Sequence, residues 1–384
     1  MDYKQLDKEY IASTYKRADV LFVKGKGATL FDDNGKSYID FGSGIAVNGL
    51  GFKHKKWTKA VTKQIKNLQH TSNLYYTMPQ TILAERLCKR TGLKKVFFSN
   101  SGAEANEGAI KCARKYSFDK YGKERNEIIT LKNSFHGRTM ATVSATGQDV
   151  FHDFFFPFLD GFKYVEANNF EELSKAVDYK TCAIMLELIQ GESGVMPLDI
   201  KFVQSIKKLC DSKDILLIID EVQTGNGRTG SLYAFQEYGV MPDIMTTAKG
   251  LGNGLPLGAV LFGEKTKDVL VAGTHGSTFG GNPVACAGAV VVLDEMDDEF
   301  LKGVKVKSER LISALNSFSK VKAVTGKGFM LGVECDDALK VREECLKRGL
   351  VVLTAKTKLR LLPPLNISDK ELEKGIEILR EILG

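Results

Sequence analysis

Thr246-Thr247-Ala248-Lys249-Gly250-Leu251-Gly252-Asn253-Gly254-Leu255-Pro256 decides how this chain is read. An apolar strand, Ile244-Met245-Thr246-Thr247, runs out at a single lysine, and a glycine-rich turn follows at once. A stiff strand then lies behind Lys249, and the turn lets backbone approach a bound group closely. Upstream, Ile215-Leu216-Leu217-Ile218-Ile219-Asp220 reads as a buried strand ending in a carboxylate. Asp220 precedes Lys249 by 29 positions (249 − 220), room for one strand–crossover–strand unit. In a parallel sheet both residues project from the carboxyl edge, where open α/β sheets bind ligands.

A lysine able to form a Schiff base and an aspartate facing a pyridinium nitrogen are the two protein groups that pyridoxal phosphate requires. The alternative for Lys249 is a solvated loop lysine. Further motifs lie to either side. Val96–Ser99 ends in Asn100-Ser101-Gly102-Ala103-Glu104, where small residues leave the first N–H groups of a helix uncovered for an anion. A plain capping box between Ser101 and Glu104 explains the same letters. Asn133-Ser134-Phe135-His136-Gly137-Arg138-Thr139 follows the strand Ile128–Leu131; by composition it is a core phenylalanine beside a surface arginine, with a structural His136. Glu187-Leu188-Ile189-Gln190-Gly191-Glu192-Ser193-Gly194 follows a buried strand. In Asp220-Glu221-Val222-Gln223, neighbouring strand side chains face opposite ways, so Asp220 and Glu221 cannot address one ring.

With Asp40-Phe41-Gly42-Ser43-Gly44-Ile45-Ala46-Val47-Asn48 and Leu359-Arg360-Leu361-Leu362-Pro363-Pro364, these stretches resemble the fold-type I, class III aminotransferases, and among them the acetylornithine aminotransferases, over nearly the whole chain. The resemblance implies an α/β fold with a mostly parallel seven-stranded sheet in a large domain and a smaller α+β domain. It implies pyridoxal phosphate as cofactor, with Lys249 and Asp220 catalytic. Gly102 and Ala103 match the phosphate-binding turn, Phe135 the residue stacked on the ring, and Gln223 the neighbour of the ring hydroxyl. Arg138 matches the arginine for a substrate's distal carboxylate; Arg360, with Glu192 as its switch, takes the carboxylate beside the reacting carbon. Thr278, in Gly276-Ser277-Thr278-Phe279-Gly280, matches a threonine that reaches the phosphate of the neighbouring subunit, and Ser277 lies near the substrate. A homodimer with shared active sites follows. Leu188, Ser193, Phe52 and Lys55 depart from the family pattern.

The implied reaction moves the δ-amino group of N-acetylornithine to 2-oxoglutarate, in arginine synthesis. Aliphatic Ile45, where ornithine aminotransferases carry tyrosine, favours an acylated amine; succinylornithine, ornithine or 4-aminobutyrate as donor stay open. Gly225-Asn226-Gly227-Arg228-Thr229-Gly230 fits a dinucleotide fingerprint, but follows an acidic strand end and precedes no clear helix start, so a nicotinamide dehydrogenase is a remote alternative. A catalytically silent relative would need a broken lysine–aspartate pair, and both residues are present.

Composition agrees with a globular protein of more than one core: 384 residues, 43% hydrophobic and 26% charged. The division expected is an N-terminal segment over 1–45 that packs with the small domain, a large cofactor-binding domain over 46–275 and a small domain over 276–384. The formal charge of +7 is spread out, and Lys53-His54-Lys55-Lys56-Trp57 reads as a solvated face, not a nucleic-acid surface. Seven cysteines without a CxxC pair read as reduced thiols of a cytoplasmic protein. Scattered histidines suggest no metal site, and no stretch approaches membrane-spanning length.

Overall fold

The computed structural model describes residues 2–384. Its centre is a seven-stranded sheet in the order Lys95–Ser99, Gly258–Phe262, Ile244–Thr247, Leu216–Asp220, Thr181–Leu186, Glu127–Leu131, Phe162–Val165. Only Gly258–Phe262 runs antiparallel to its neighbours; the pairings on the other side are all parallel. The central strands are buried throughout and largely apolar because helices cover both faces, as parallel sheets require. The register pairs Asp220 with Thr246, which brings the two decisive strand ends side by side.

The connection between those strands differs from a long crossover helix. It is a run of turns with one helical turn, Phe235–Tyr238. The fingerprint-like Gly225–Gly230 forms part of it. Arg228 there is buried and donates to the carbonyls of Phe329 (3.1 Å) and Pro363 (2.6 Å), while Asn226 donates to Thr247 Oγ1 (2.9 Å) and to the Ala248 carbonyl (3.1 Å). Asn226 of this segment braces the lysine turn, and no long helix begins there to receive a phosphate.

Two four-stranded sheets and a two-stranded ribbon, Ile189–Gln190 with Met196–Pro197, accompany the large one. The hairpin strands Thr29–Asp32 and Ser37–Asp40 turn at Asn34-Gly35, with Phe31 opposite Ser37. Leu350–Val351 joins them in parallel, whereas Leu353–Ala355 pairs with Lys358–Leu361 in the other sheet. The chain thus changes sheets at Val352. The closing helix Asp369–Leu383 starts with a capping box between Ser368 and Glu371. Glu371 also accepts from Ala28 N and Thr29 Oγ1, both at 2.9 Å, which ties the C-terminus to the N-terminal hairpin. Two helices, Pro283–Glu295 and Asp298–Asn316, lie between 276 and the strand at Ala323, because Asp297 caps a new helix start through Phe300 N (2.8 Å).

His54 caps the helix Lys55–Asn67, and Lys56 pairs with Glu295, so the basic cluster is a helix start. All seven cysteines are free and six are buried. Among the described residues no helix is long and apolar enough to cross a membrane, and no group of side chains has metal-ligand geometry.

Candidate active site

The carboxyl edge of the large sheet opens into a cavity of about 420 Å³. Of the residues singled out in the sequence, Gly102, Ala103, Phe135, Arg138, Asp220, Gln223 and Lys249 line it. Lys249 emerges at φ 44°, and the turn beyond it admits no side chain at Gly252, where a Cβ would come within 2.0 Å of the Leu255 carbonyl oxygen. Burial holds the Lys249 amine below the ordinary lysine range; nearby Glu192 opposes this, Arg360 adds to it, and Asp220 and Glu187 oppose it.

Asp220 is buried and fixed on three sides. Asn106 Nδ2 donates to its Oδ2 at 2.8 Å, His136 Nδ1 lies 2.8 Å from the same oxygen, and Val222 N donates to Oδ1 at 3.0 Å. Asn106 is held in turn by Thr246 Oγ1 (2.7 Å) and by the His136 carbonyl (2.7 Å). His136 is therefore more than the structural histidine its loop suggested: it orients the carboxylate. Glu221 turns the other way, as strand alternation requires, and accepts from Thr224 Oγ1 and Phe235 N. Glu187, which sequence reasoning passed over as a site residue, lines the cavity and accepts from Phe135 N (2.9 Å) and Gly191 N (3.2 Å). Burial pushes its carboxyl up to about 7. Its place directly after a fully buried strand was the signal that could have found it.

At the opposite wall the helix Gly102–Tyr121 begins. Ser101 Oγ accepts from Glu104 N (3.2 Å), but the Glu104 carboxylate reaches back to Asn100 N (2.6 Å) and Nδ2 (2.8 Å) and does not complete a box on Ser101. The N–H groups of Gly102 and Ala103 have no partner among the described residues. Val222 presses on Gly102 so closely that a Cβ there would meet its Cγ1 at 2.6 Å. Free helix N–H groups, a buried carboxylate, an aromatic face and a depressed amine fit the phosphate, ring nitrogen, ring and carbonyl of pyridoxal phosphate.

Arg360 is buried beyond Gln223. Its Nη1 pairs with Glu192 Oε1 and donates to the Gly191 carbonyl (3.3 Å) and Gln223 Oε1 (3.5 Å). Ser193 Oγ donates to the Gln190 carbonyl at 3.0 Å, which closes the turn that presents Glu192, and Leu188 fills the core. Ser277 sits apart from the cavity lining but accepts from Asn100 Nδ2 at 3.2 Å; Thr278 is exposed and lines no wall of this chain's cavity. Ile45 lies in a left-handed turn at φ 65°, unusual for a β-branched residue.

The family model described as Aminotransferase class-III matches residues 10–383. The chain belongs to the class III aminotransferases. This aminotransferase is 52% identical to the acetylornithine aminotransferase of Haemophilus ducreyi, over 99% of this chain and 98% of that one. It is 47% identical to that of Caldanaerobacter subterraneus, over 98% of each. Among solved structures, the N-acetylornithine aminotransferase of Stenotrophomonas maltophilia superposes with a TM-score of 0.85 at 36% identity, covering 98% of this chain and 97% of that one. The ornithine aminotransferase of Toxoplasma gondii, a structure reporting partial occupancy of pyridoxal phosphate, gives 0.94 at 31% identity, covering 99% and 93%. The sheet order is that of a fold-type I enzyme, and pyridoxal phosphate is the cofactor of this class III aminotransferase.

Proposed function

We propose that the enzyme moves the δ-amino group of N-acetylornithine to 2-oxoglutarate, giving N-acetylglutamate semialdehyde and glutamate, as a step of arginine synthesis in the cytoplasm. The observation that carries the reading is Arg360, buried and paired with Glu192 close to Lys249. A donor that presents only an apolar chain there leaves that pair intact, and one with a carboxylate on the reacting carbon must open it. The names of the acetylornithine-acting relatives support the same donor, as does aliphatic Ile45.

When bound, pyridoxal phosphate supplies a carbonyl that condenses with amines and a ring that draws electron density from the carbon bearing the amine. Asp220, held as a carboxylate acceptor by Asn106 and His136, would keep the ring nitrogen's proton. Gly102 and Ala103 would donate their N–H groups to the phosphate, Phe135 and Val222 would pack the ring's two faces, and Gln223 would meet its hydroxyl. The neutral Lys249 amine, favoured by burial, takes the proton from the reacting carbon and returns it on the other side of the transfer. Arg138 takes the distal carboxylate with its planar fork, and Ser277 lies towards the substrate.

Thr278 serves the neighbouring subunit in this reading, and the active unit is a homodimer. Leu74, Tyr75, Tyr76 and Met78 are 66 to 99% exposed, and Phe279 beside Thr278 is 62% exposed, an apolar surface that a second copy would cover. A panel of amino donors assayed with 2-oxoglutarate tests the proposal. N-acetylornithine is expected to give the highest kcat/KM; ornithine or 4-aminobutyrate ahead of it would overturn the donor assignment.

A further inference from the structure

Arg138 is exposed at the cavity mouth, and among the described residues it has neither a carboxylate partner nor a side-chain hydrogen bond. A free arginine at such a place would sample many rotamers and lose that freedom on binding. Its guanidinium carbon instead sits 4.2 Å from the centroid of the Phe151 ring and 5.8 Å from that of Phe135. The two rings meet edge to face, 5.4 Å apart and at 67°.

Phe151 ends the short 3-10 turn Asp149–Phe151, which is stitched to the Phe135 loop. Asn133 N donates to the Gly147 carbonyl (2.6 Å), Gly147 N to Ser134 Oγ (3.1 Å), and Gln148 Nε2 to the Ser134 carbonyl (3.0 Å). His152 follows at once and is anchored on the Val143 carbonyl at 2.8 Å. The ring is thus a fixed platform and does not line the cavity itself.

We propose that Phe151 is a positioning residue for Arg138: its ring face holds the guanidinium at the cavity mouth and sets the enzyme's affinity for substrates with a distal carboxylate. The chemistry favours a ring over an acid in this place. An aspartate or glutamate would occupy the N–H fork and compete with the substrate's carboxylate. An aromatic face attracts the cation from above and leaves the in-plane donors free. The proposal rests on the reading of Arg138 as the carboxylate-binding arginine.

The test compares wild type, Phe151→Leu, Phe151→Tyr, Arg138→Ala and the double variant Arg138→Ala/Phe151→Leu as cofactor-loaded enzyme. Glutarate binding is measured by calorimetry, and kcat and KM with N-acetylornithine. Phe151→Leu keeps the apolar volume and removes the face; Phe151→Met serves the same arm should the leucine variant fold poorly. The expected result is a rise of about threefold to tenfold in glutarate Kd and in KM, with kcat within about twofold, restored by Phe151→Tyr. In the Arg138→Ala background the leucine change should add nothing. An unchanged Kd in Phe151→Leu and Phe151→Met, or an equal loss with and without Arg138, overturns the proposal. If Arg138→Ala itself leaves glutarate binding unchanged, the reading of Arg138 fails and takes the proposal with it. A sensitive Arg138 with an indifferent Phe151 sinks the proposal alone.

Discussion

Arg360 Nη1 is paired with Glu192 Oε1, the arginine 4% and the glutamate 28% exposed by side chain. The two come from a strand of the C-terminal sheet and from the turn after a central strand, and Gln223 stands between them and the cavity. A buried guanidinium without its partner is costly, whereas a partly exposed glutamate can leave for water at little expense. The pair is therefore built to open on the glutamate side.

Arg360→Ala is expected to slow the glutamate half-reaction by about a hundredfold or more, the cost of losing a buried charge contact, and to affect the N-acetylornithine half-reaction far less. Glu192→Ala should spare the glutamate half-reaction and weaken the other. Stopped-flow measurement of each half-reaction separately checks this, and equal losses in both for Arg360→Ala would refute the division.

A pH effect on reactivity follows from the surroundings of Lys249. Glu192 is the largest of the influences holding its amine up against burial. Removing that charge in Glu192→Gln should lower the amine further, so the pH profile for re-attachment of cofactor to cofactor-free enzyme should move to lower pH. A shift to higher pH contradicts the electrostatics described.

Stability carries its own pH signature through Glu221. Burial raises its carboxyl from 4.5 to about 7, against the opposing bonds from Thr224 and Phe235. The folded chain holds that proton more tightly than the unfolded one. Its contribution is complete below pH 4.5 and is lost as pH rises through about 7, a loss on the order of 3 kcal/mol. The glutamine variant can still accept from Phe235 N, so Glu221→Gln should flatten the fall of Tm between about pH 4.5 and 7.5. An unaltered slope would remove Glu221 from the account.

Part of this site was legible because strand ends in a parallel sheet converge: the spacing allowed Asp220 and Lys249 to share one edge, the resemblance gave them roles, and both line the cavity. His136, Asn106 and Arg228 were not. His136 and Asn106 take their meaning from Asp220, 84 and 114 residues away, and no local pattern marks a lone histidine or a helical asparagine for that duty. Arg228 sat inside a glycine fingerprint whose letters fit a phosphate loop, and only its bonds to Phe329 and Pro363 show it bracing the C-terminal segment. The change of sheets at Val352 depends on long-range pairing, which apolar runs do not encode.

If Thr278 completes the partner's site, inactive Lys249→Ala and inactive Thr278→Ala chains should complement each other. Random mixing gives one intact site in each mixed dimer, hence roughly a quarter of full activity. No recovery, with subunit exchange shown by an independent label, argues against a shared site.

The attachment point of the cofactor tests the account most directly. Borohydride reduction of the loaded enzyme followed by peptide mapping should recover the pyridoxyl group on Lys249, in the peptide that follows Ile244-Met245-Thr246-Thr247-Ala248. Recovery on any other lysine, or on none, would contradict it.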